Sequence, residues 1–134
     1  MGKITTSVQV RNALNEDMRL ECEALVDTGA NYLVLPSAWR EKLGPLELRD
    51  TVELEAADQS KIIGEIRGPV TIQMPGFMRV SMDLLFIDMQ PRHGQYEPLI
   101  GHFVLQQSGA IIDMVEHRLL KRGYFDLKNL KSSA

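Results

Sequence analysis

Short apolar stretches recur along the chain, each ended within a few residues by glycine, proline, asparagine or aspartate. Punctuation at this spacing predicts strands of an all-β barrel or sandwich, not a helical bundle. Ile4, Val8 and Val10 mark a first strand and Asn12 to Asp17 a polar turn; Met18 to Val26 is a second strand. Tyr32-Leu33-Val34-Leu35 is closed by Pro36. Thr51 to Ala57 and Lys61 to Arg67 alternate around the turn Asp58-Gln59-Ser60, and Gly68-Pro69 and Pro75-Gly76 set off Val70 to Met74 and Phe77 to Ile87. Pro91 to Pro98 reads as an exposed loop, and Ile111-Ile112-Asp113 with Arg118-Leu119-Leu120 as a closing hairpin. Two short helices interrupt the pattern: Ser37 to Gly44, opened by a serine cap and closed by glycine, and about His102 to Ser108 before Gly109.

The 134 residues suit one domain over 1–134, with a core over about 4–120 and a tail over about 123–134 whose lysines and small polar residues predict fraying. A formal charge of −3, with both signs interspersed, argues against nucleic acid and anionic membranes as partners. No apolar run approaches the roughly 20 residues that span a bilayer. Met1 to Thr6 lacks the apolar core of a signal peptide, and the single cysteine, Cys22, has no internal disulfide partner; a cytoplasmic location is the expectation. His93, His102 and His117 lack metal-ligand spacing, so neither a metal nor an organic cofactor is expected.

The chemistry concentrates at Asp27-Thr28-Gly29. The tripeptide alone is weak, arising by chance in roughly a few per cent of chains this long. Its setting is more specific. The apolar strand ending Ala24-Leu25-Val26 delivers a carboxylate at its tip, two small residues, Gly29 and Ala30, follow within three positions, and an apolar run resumes at Tyr32. Such a loop offers a carboxylate and leaves room for another chain beside it.

With Ala24 to Ala30 near position 30, a strand-turn-strand over Thr51 to Arg67, and Pro98-Leu99-Ile100-Gly101 opening a late helix before Gly109 to Asp113, the sequence resembles the retropepsin-like aspartic proteases, over about residues 4 to 120. The resemblance implies a closed β-barrel with one or two short helices, assembled as a homodimer, that hydrolyses peptide bonds in a protein or peptide substrate without a metal or organic cofactor. It implies that Asp27 is catalytic, with Thr28, Gly29 and Ala30 supporting it. Asn31 and the flap turn Ala57, Asp58, Gln59 and Ser60 would meet substrate, and Gly101 and His102 would support the subunit interface. Because the chain holds one such motif, the second carboxylate must be Asp27 of another copy, most simply across a two-fold axis.

The sequence departs from the family in two places. Where retroviral members pair an arginine after the late glycine with an acid of the catalytic loop, this chain has His102-Phe103 and Asn31, which predicts a His102–Asn31 hydrogen bond in place of the ion pair. The flap turn lacks the usual glycines. These departures keep open a catalytically silent dimerisation or peptide-binding module on the same fold. A small all-β ligand-binding protein carrying the tripeptide by accident would have to explain three ordered matches as coincidence.

Overall fold

The computed structural model describes residues 3–56 and 58–122, so Ala57 of the flap turn and the 123–134 tail lie outside the described residues. The strands are β1 (Thr5–Asn12), β2 (Asn15–Val26), β3 (Leu33–Pro36), β4 (Glu47–Glu55), β5 (Lys61–Gln73), β6 (Val80–Ile87), β7 (Leu99–Ile100), β8 (Ala110–Asp113) and β9 (Arg118–Lys121). A 3-10 helix covers Ser37–Leu43, and the α-helix α1 covers His102–Ser108.

The first seven strands form one sheet in the order β1-β2-β7-β3-β6-β5-β4. An additional pairing of β1 with β5 closes it into a barrel, with β4 as a projecting outer strand. The closure depends on β5, which spans two predicted strands and changes partner along its length. From Lys61 to Gly68 it pairs with β4, and from Val70 to Gln73 with β1. Gly68-Pro69 does not end the strand as the sequence predicts; it falls at a register shift against β6, where an irregular pair lets the ribbon bend. The bend frees Lys61 to Arg67 to project with β4 as a hairpin.

β1 and β5 show simple alternation, with Val8, Val10, Val70 and Ile72 buried and their neighbours partly exposed. β3 and β6 do not alternate. Leu33, Leu35, Leu84 and Phe86 enter the main core, while Val34 and Leu85 join Ile66 in a second apolar cluster on the opposite side of the sheet. These three are cross-strand neighbours, Val34 opposite Leu85 and Leu85 opposite Ile66, with Leu99 of β7 opposite Val34. Continuous apolar runs such as Leu84-Leu85-Phe86-Ile87 therefore mark strands covered on both faces.

Two local details differ from expectation. Asn12 is not part of an exposed polar turn. It ends β1 buried, its Nδ2 donating to the carbonyls of Leu43 (2.8 Å) and Pro45 (3.0 Å) and its Oδ1 accepting from the Leu14 N–H (2.9 Å). One amide side chain thus satisfies the segment after the 3-10 helix and its own turn. Ser37 does not cap that helix; the cap position is Pro36, with no side-chain hydrogen bond, although Gly44 closes the other end with φ 66°. α1 ends as predicted, at a left-handed Gly109. Cys22 is half-buried against the core, and burial pushes its thiol up to about 11. Among the described residues, no helix is long and apolar enough to cross a membrane.

Candidate active site

β7 is only two residues long, yet it organises the site. It lies between β2, which it pairs in parallel (Val26 opposite Ile100), and β3, which it pairs antiparallel (Leu33 opposite Ile100). The loop from Asp27 to Tyr32 therefore crosses over the end of β7. Its turn is held from within. Asp27 N–H donates to the Ile100 carbonyl (2.9 Å), Asp27 Oδ1 accepts the Gly29 N–H (2.9 Å), and the Asp27 carbonyl accepts the Ala30 N–H (3.1 Å).

α1 clamps the same loop from below. The N–H of His102 donates to the Ala30 carbonyl (2.8 Å) and that of Phe103 to the Asn31 carbonyl (2.9 Å). Two of the orphan donors at a helix N-terminus are thereby satisfied by loop carbonyls. The approach requires glycine at position 101. A Cβ there would fall 2.7 Å from the Ala30 carbonyl oxygen and closer still to the backbone of Asn31 and Tyr32. The predicted His102–Asn31 side-chain hydrogen bond does not form within the chain; the link is backbone, supplemented by an edge-to-face contact of Tyr32 with Phe103 (centroids 5.7 Å apart, 82°). The departure at His102-Phe103 thus replaces a charged tie with an aromatic one.

Asp27 is half-buried; Thr28, Gly29, Asn31 and His102 are exposed, and Ala30 is half-buried. The Thr28 hydroxyl makes no hydrogen bond among the described residues. Asp27, Gly29, Ala30 and Asn31 form one end of a cleft of about 430 Å³. Its floor is the second apolar cluster: Val34, Ile66, Leu85, Ile87 and Leu99. Tyr32 adds to the loop end, and Val52 and Leu54 of β4 form the far wall. The cleft's shape matches concave, mostly apolar ligand sites with a few polar groups at one end.

The β4–β5 hairpin ends in a tight turn in which Ala56 N–H donates to Ser60 and Gln59 N–H to Ala56 (both 2.9 Å). Gln59 sits at φ 68°, taking the left-handed conformation that glycine would supply. Asp58 accepts from the Ser60 hydroxyl (2.5 Å) and N–H (3.0 Å), and these bonds, the hydroxyl first, hold its carboxyl below the ordinary 3.8. Asp58, Gln59 and Ser60 are exposed at the hairpin tip and do not line the cleft. Sequence reasoning named the loop end of the cleft, Asp27, Gly29, Ala30 and Asn31, but missed its apolar floor and far wall. Their signal was the failure of alternation in Leu33-Val34-Leu35 and Leu84 to Ile87, one apolar residue more than a one-sided strand needs. Among the described residues, no three His, Cys, Asp or Glu side chains cluster closely enough to hold a metal ion.

An aspartyl protease family model matches residues 8–102, more than half of the chain and all of the loop, cleft and hairpin. The chain belongs to the aspartyl protease family. Among solved structures, EIAV protease in complex with the inhibitor HBY-793 is similar, with a TM-score of 0.61 and 21% identity over 84% of this chain and 94% of that one. At that identity the likeness establishes the retropepsin fold, here mainly strands with two short helices. No curated protein matches the sequence.

Proposed function

We propose that this aspartyl protease family member is an endopeptidase that works as a homodimer, with one Asp27 carboxylate from each subunit. The observation that carries the reading is the position of Asp27, at the polar end of an apolar cleft and on a loop held by backbone hydrogen bonds on two sides. One chain supplies one carboxylate of this kind. Two carboxylates within hydrogen-bonding distance share a single proton because both cannot ionise, and aspartic proteases are the standard example of this effect. In the dimer, the ionised member takes a proton from a water. The partner subunit's Asp27, carrying the shared proton, polarises the scissile carbonyl that the water attacks.

The surrounding residues follow from that assignment. Gly29 presents backbone to an extended peptide, and Ala30 keeps the loop narrow. Asn31 offers a polar contact at the cleft end, and the turn of Asp58, Gln59 and Ser60 covers the peptide from above. The exposed Thr28 hydroxyl is free to bond across the two-fold axis. Gly101 and His102 hold the loop at the angle this pairing needs. The apolar floor accepts apolar side chains next to the bond cut.

Cleavage of an unfolded protein at about pH 4–6, lost on Asp27→Asn by at least ~1,000-fold in kcat/KM, is the expected result. A folded Asp27→Asn variant that cleaves at the wild-type rate would exclude Asp27 chemistry. A verified dimer of the wild type that cleaves nothing across pH and substrates would favour the silent peptide-binding module.

A further inference from the structure

The register of the sheet carries the cleft floor beyond β7. Its apolar row runs Ile66, Leu85, Val34, Leu99 from β5 to β7. The next cross-strand partners are Leu25 of β2, opposite Leu99, and Thr5 of β1, opposite Leu25. Residues in such a row share one face of a sheet, so Leu25 and Thr5 lie on the cleft's side of β2 and β1. There they line a second pocket of about 420 Å³, walled by the 92–97 loop. With strands about 4.8 Å apart, Leu25 lies roughly 10 Å from Val34, the reach of about three extended residues. The loop, expected from the sequence only to be exposed, has a defined fold. Arg92 and Gln95 exchange backbone hydrogen bonds (2.7 and 2.9 Å) around a two-residue turn in which His93 and Gly94 take positive φ (52° and 76°). Tyr96 packs edge-to-face on Trp39 (5.8 Å, 84°) and Lys3 pairs with Glu97 at 3.7 Å. The Pro98 carbonyl accepts the Leu25 N–H (2.8 Å), which fixes the loop's end against β2.

We propose that this pocket selects an acidic side chain of the substrate, with Arg92 as the specificity-determining residue. The proposal rests on the reading above that an extended peptide lies across Asp27, and it adds the chemistry of one further position. The two pockets differ in kind. The cleft beside Asp27 is floored by aliphatic side chains, whereas Lys3, Glu23, Arg92, His93 and Glu97 line the second pocket. Lys3 and Glu97 neutralise each other. Arg92 is exposed, and its side chain makes no hydrogen bond or ion pair among the described residues. Glu23 is the one carboxylate of the lining without a partner there, and Arg92 and the neighbouring imidazole of His93 stand against it. A guanidinium keeps its charge at any working pH, and its planar fork of donors holds a carboxylate through two parallel bonds. The apolar residue in the cleft and the acidic one under the loop therefore stand about three positions apart on one substrate.

Matched peptides test this, each with one apolar residue at a fixed place and glutamate, glutamine or lysine scanned through the positions on either side. Cleavage by the wild type gives kcat/KM, and fluorescence anisotropy with the Asp27→Asn chain gives Kd without turnover. At a position about three residues from the apolar one, glutamate should be favoured over glutamine at least about fivefold in both readouts. Arg92→Ala should bring that ratio to about one, and Arg92→Glu should turn the preference to lysine. Arg79→Ala, at an exposed site outside both pockets, should leave the ratio as it is. A wild-type ratio near one at every position would overturn the proposal, and so would a folded Arg92→Ala chain that keeps the wild-type ratio. The two readings fail differently. Asp27-dependent cleavage without a glutamate preference removes only the role of Arg92. A glutamate preference in binding that Arg92→Ala abolishes, with no cleavage by the wild type, keeps the pocket and removes the peptidase. Neither binding nor cleavage of any peptide removes both.

Discussion

Gly101 shows how little side chain the Asp27 loop can accept beneath it. The carbonyls of Ala30 and Asn31 and the start of α1 approach so closely that a methyl group would meet backbone, which cannot rotate away. Gly101→Ala should therefore cost about 1–3 kcal/mol in stability through overpacking. Its effect on cleavage should be larger, roughly 100-fold, because the loop that carries Asp27 must shift to admit the Cβ. Parallel urea denaturation and peptide kinetics would check this; loss of stability with unchanged kcat would show that the loop does not depend on α1. Position 101 was legible in the sequence as part of Leu99-Ile100-Gly101. Its reason was not, because the atoms that exclude a Cβ lie some seventy positions earlier in the chain. Replacement of the expected His102–Asn31 bond by backbone ties and a Tyr32–Phe103 contact was illegible for the same reason.

At the scale of elements, the β4–β5 hairpin combines a fixed base with a turn that lacks glycine at its tip. Gly64, in β5 beyond the turn, serves packing: a Cβ there would lie 2.8 Å from a Leu85 methyl and 3.1 Å from one of Ile87. The glycine lets β5 lie close over the cleft floor. The tip is held by Asp58 and Ser60, and its pH dependence has a definite sign. Because the folded state depresses the Asp58 carboxyl, the turn's stabilisation is present above the ordinary carboxyl value and lost as pH falls through the depressed one. The turn should therefore stay closed through the acid range where an aspartic protease works and loosen only below the ordinary carboxyl value. Protection of the Ser60 amide against hydrogen exchange would report it. Equal protection factors at about pH 2 and pH 5 in the wild type would show that the carboxylate does not hold the turn. Ser60→Ala removes one of the two bonds and should move the loosening to higher pH.

For the whole molecule, the decisive property is that each chain brings one Asp27. If two are needed, mixing wild type with Asp27→Asn at constant total protein should lower activity to about a quarter at equal amounts, the fraction of dimers with two wild-type subunits under random exchange. Activity that falls only to one half would mean that each chain acts alone. The all-β architecture, the late helix with its glycine end and the closing hairpin were readable from the chain because they depend on local pattern: turn residues, caps and runs of apolar side chains. Asp27-Thr28-Gly29 was readable because a carboxylate between an apolar strand and two small residues has few structural uses. Neither the partner exchange of β5 that closes the barrel nor the row Leu99, Val34, Leu85, Ile66 that floors the cleft could be read this way. Both arise from register between strands far apart in sequence, and register is set by how the sheet twists and closes, not by any one segment. The sequence by itself determined the strand-rich pattern and the place of a single Asp27-Thr28-Gly29 at a strand tip. Only the tertiary structure decided what surrounds Asp27, because β7 must first slide between β2 and β3 before loop, helix and cleft have a common place to meet.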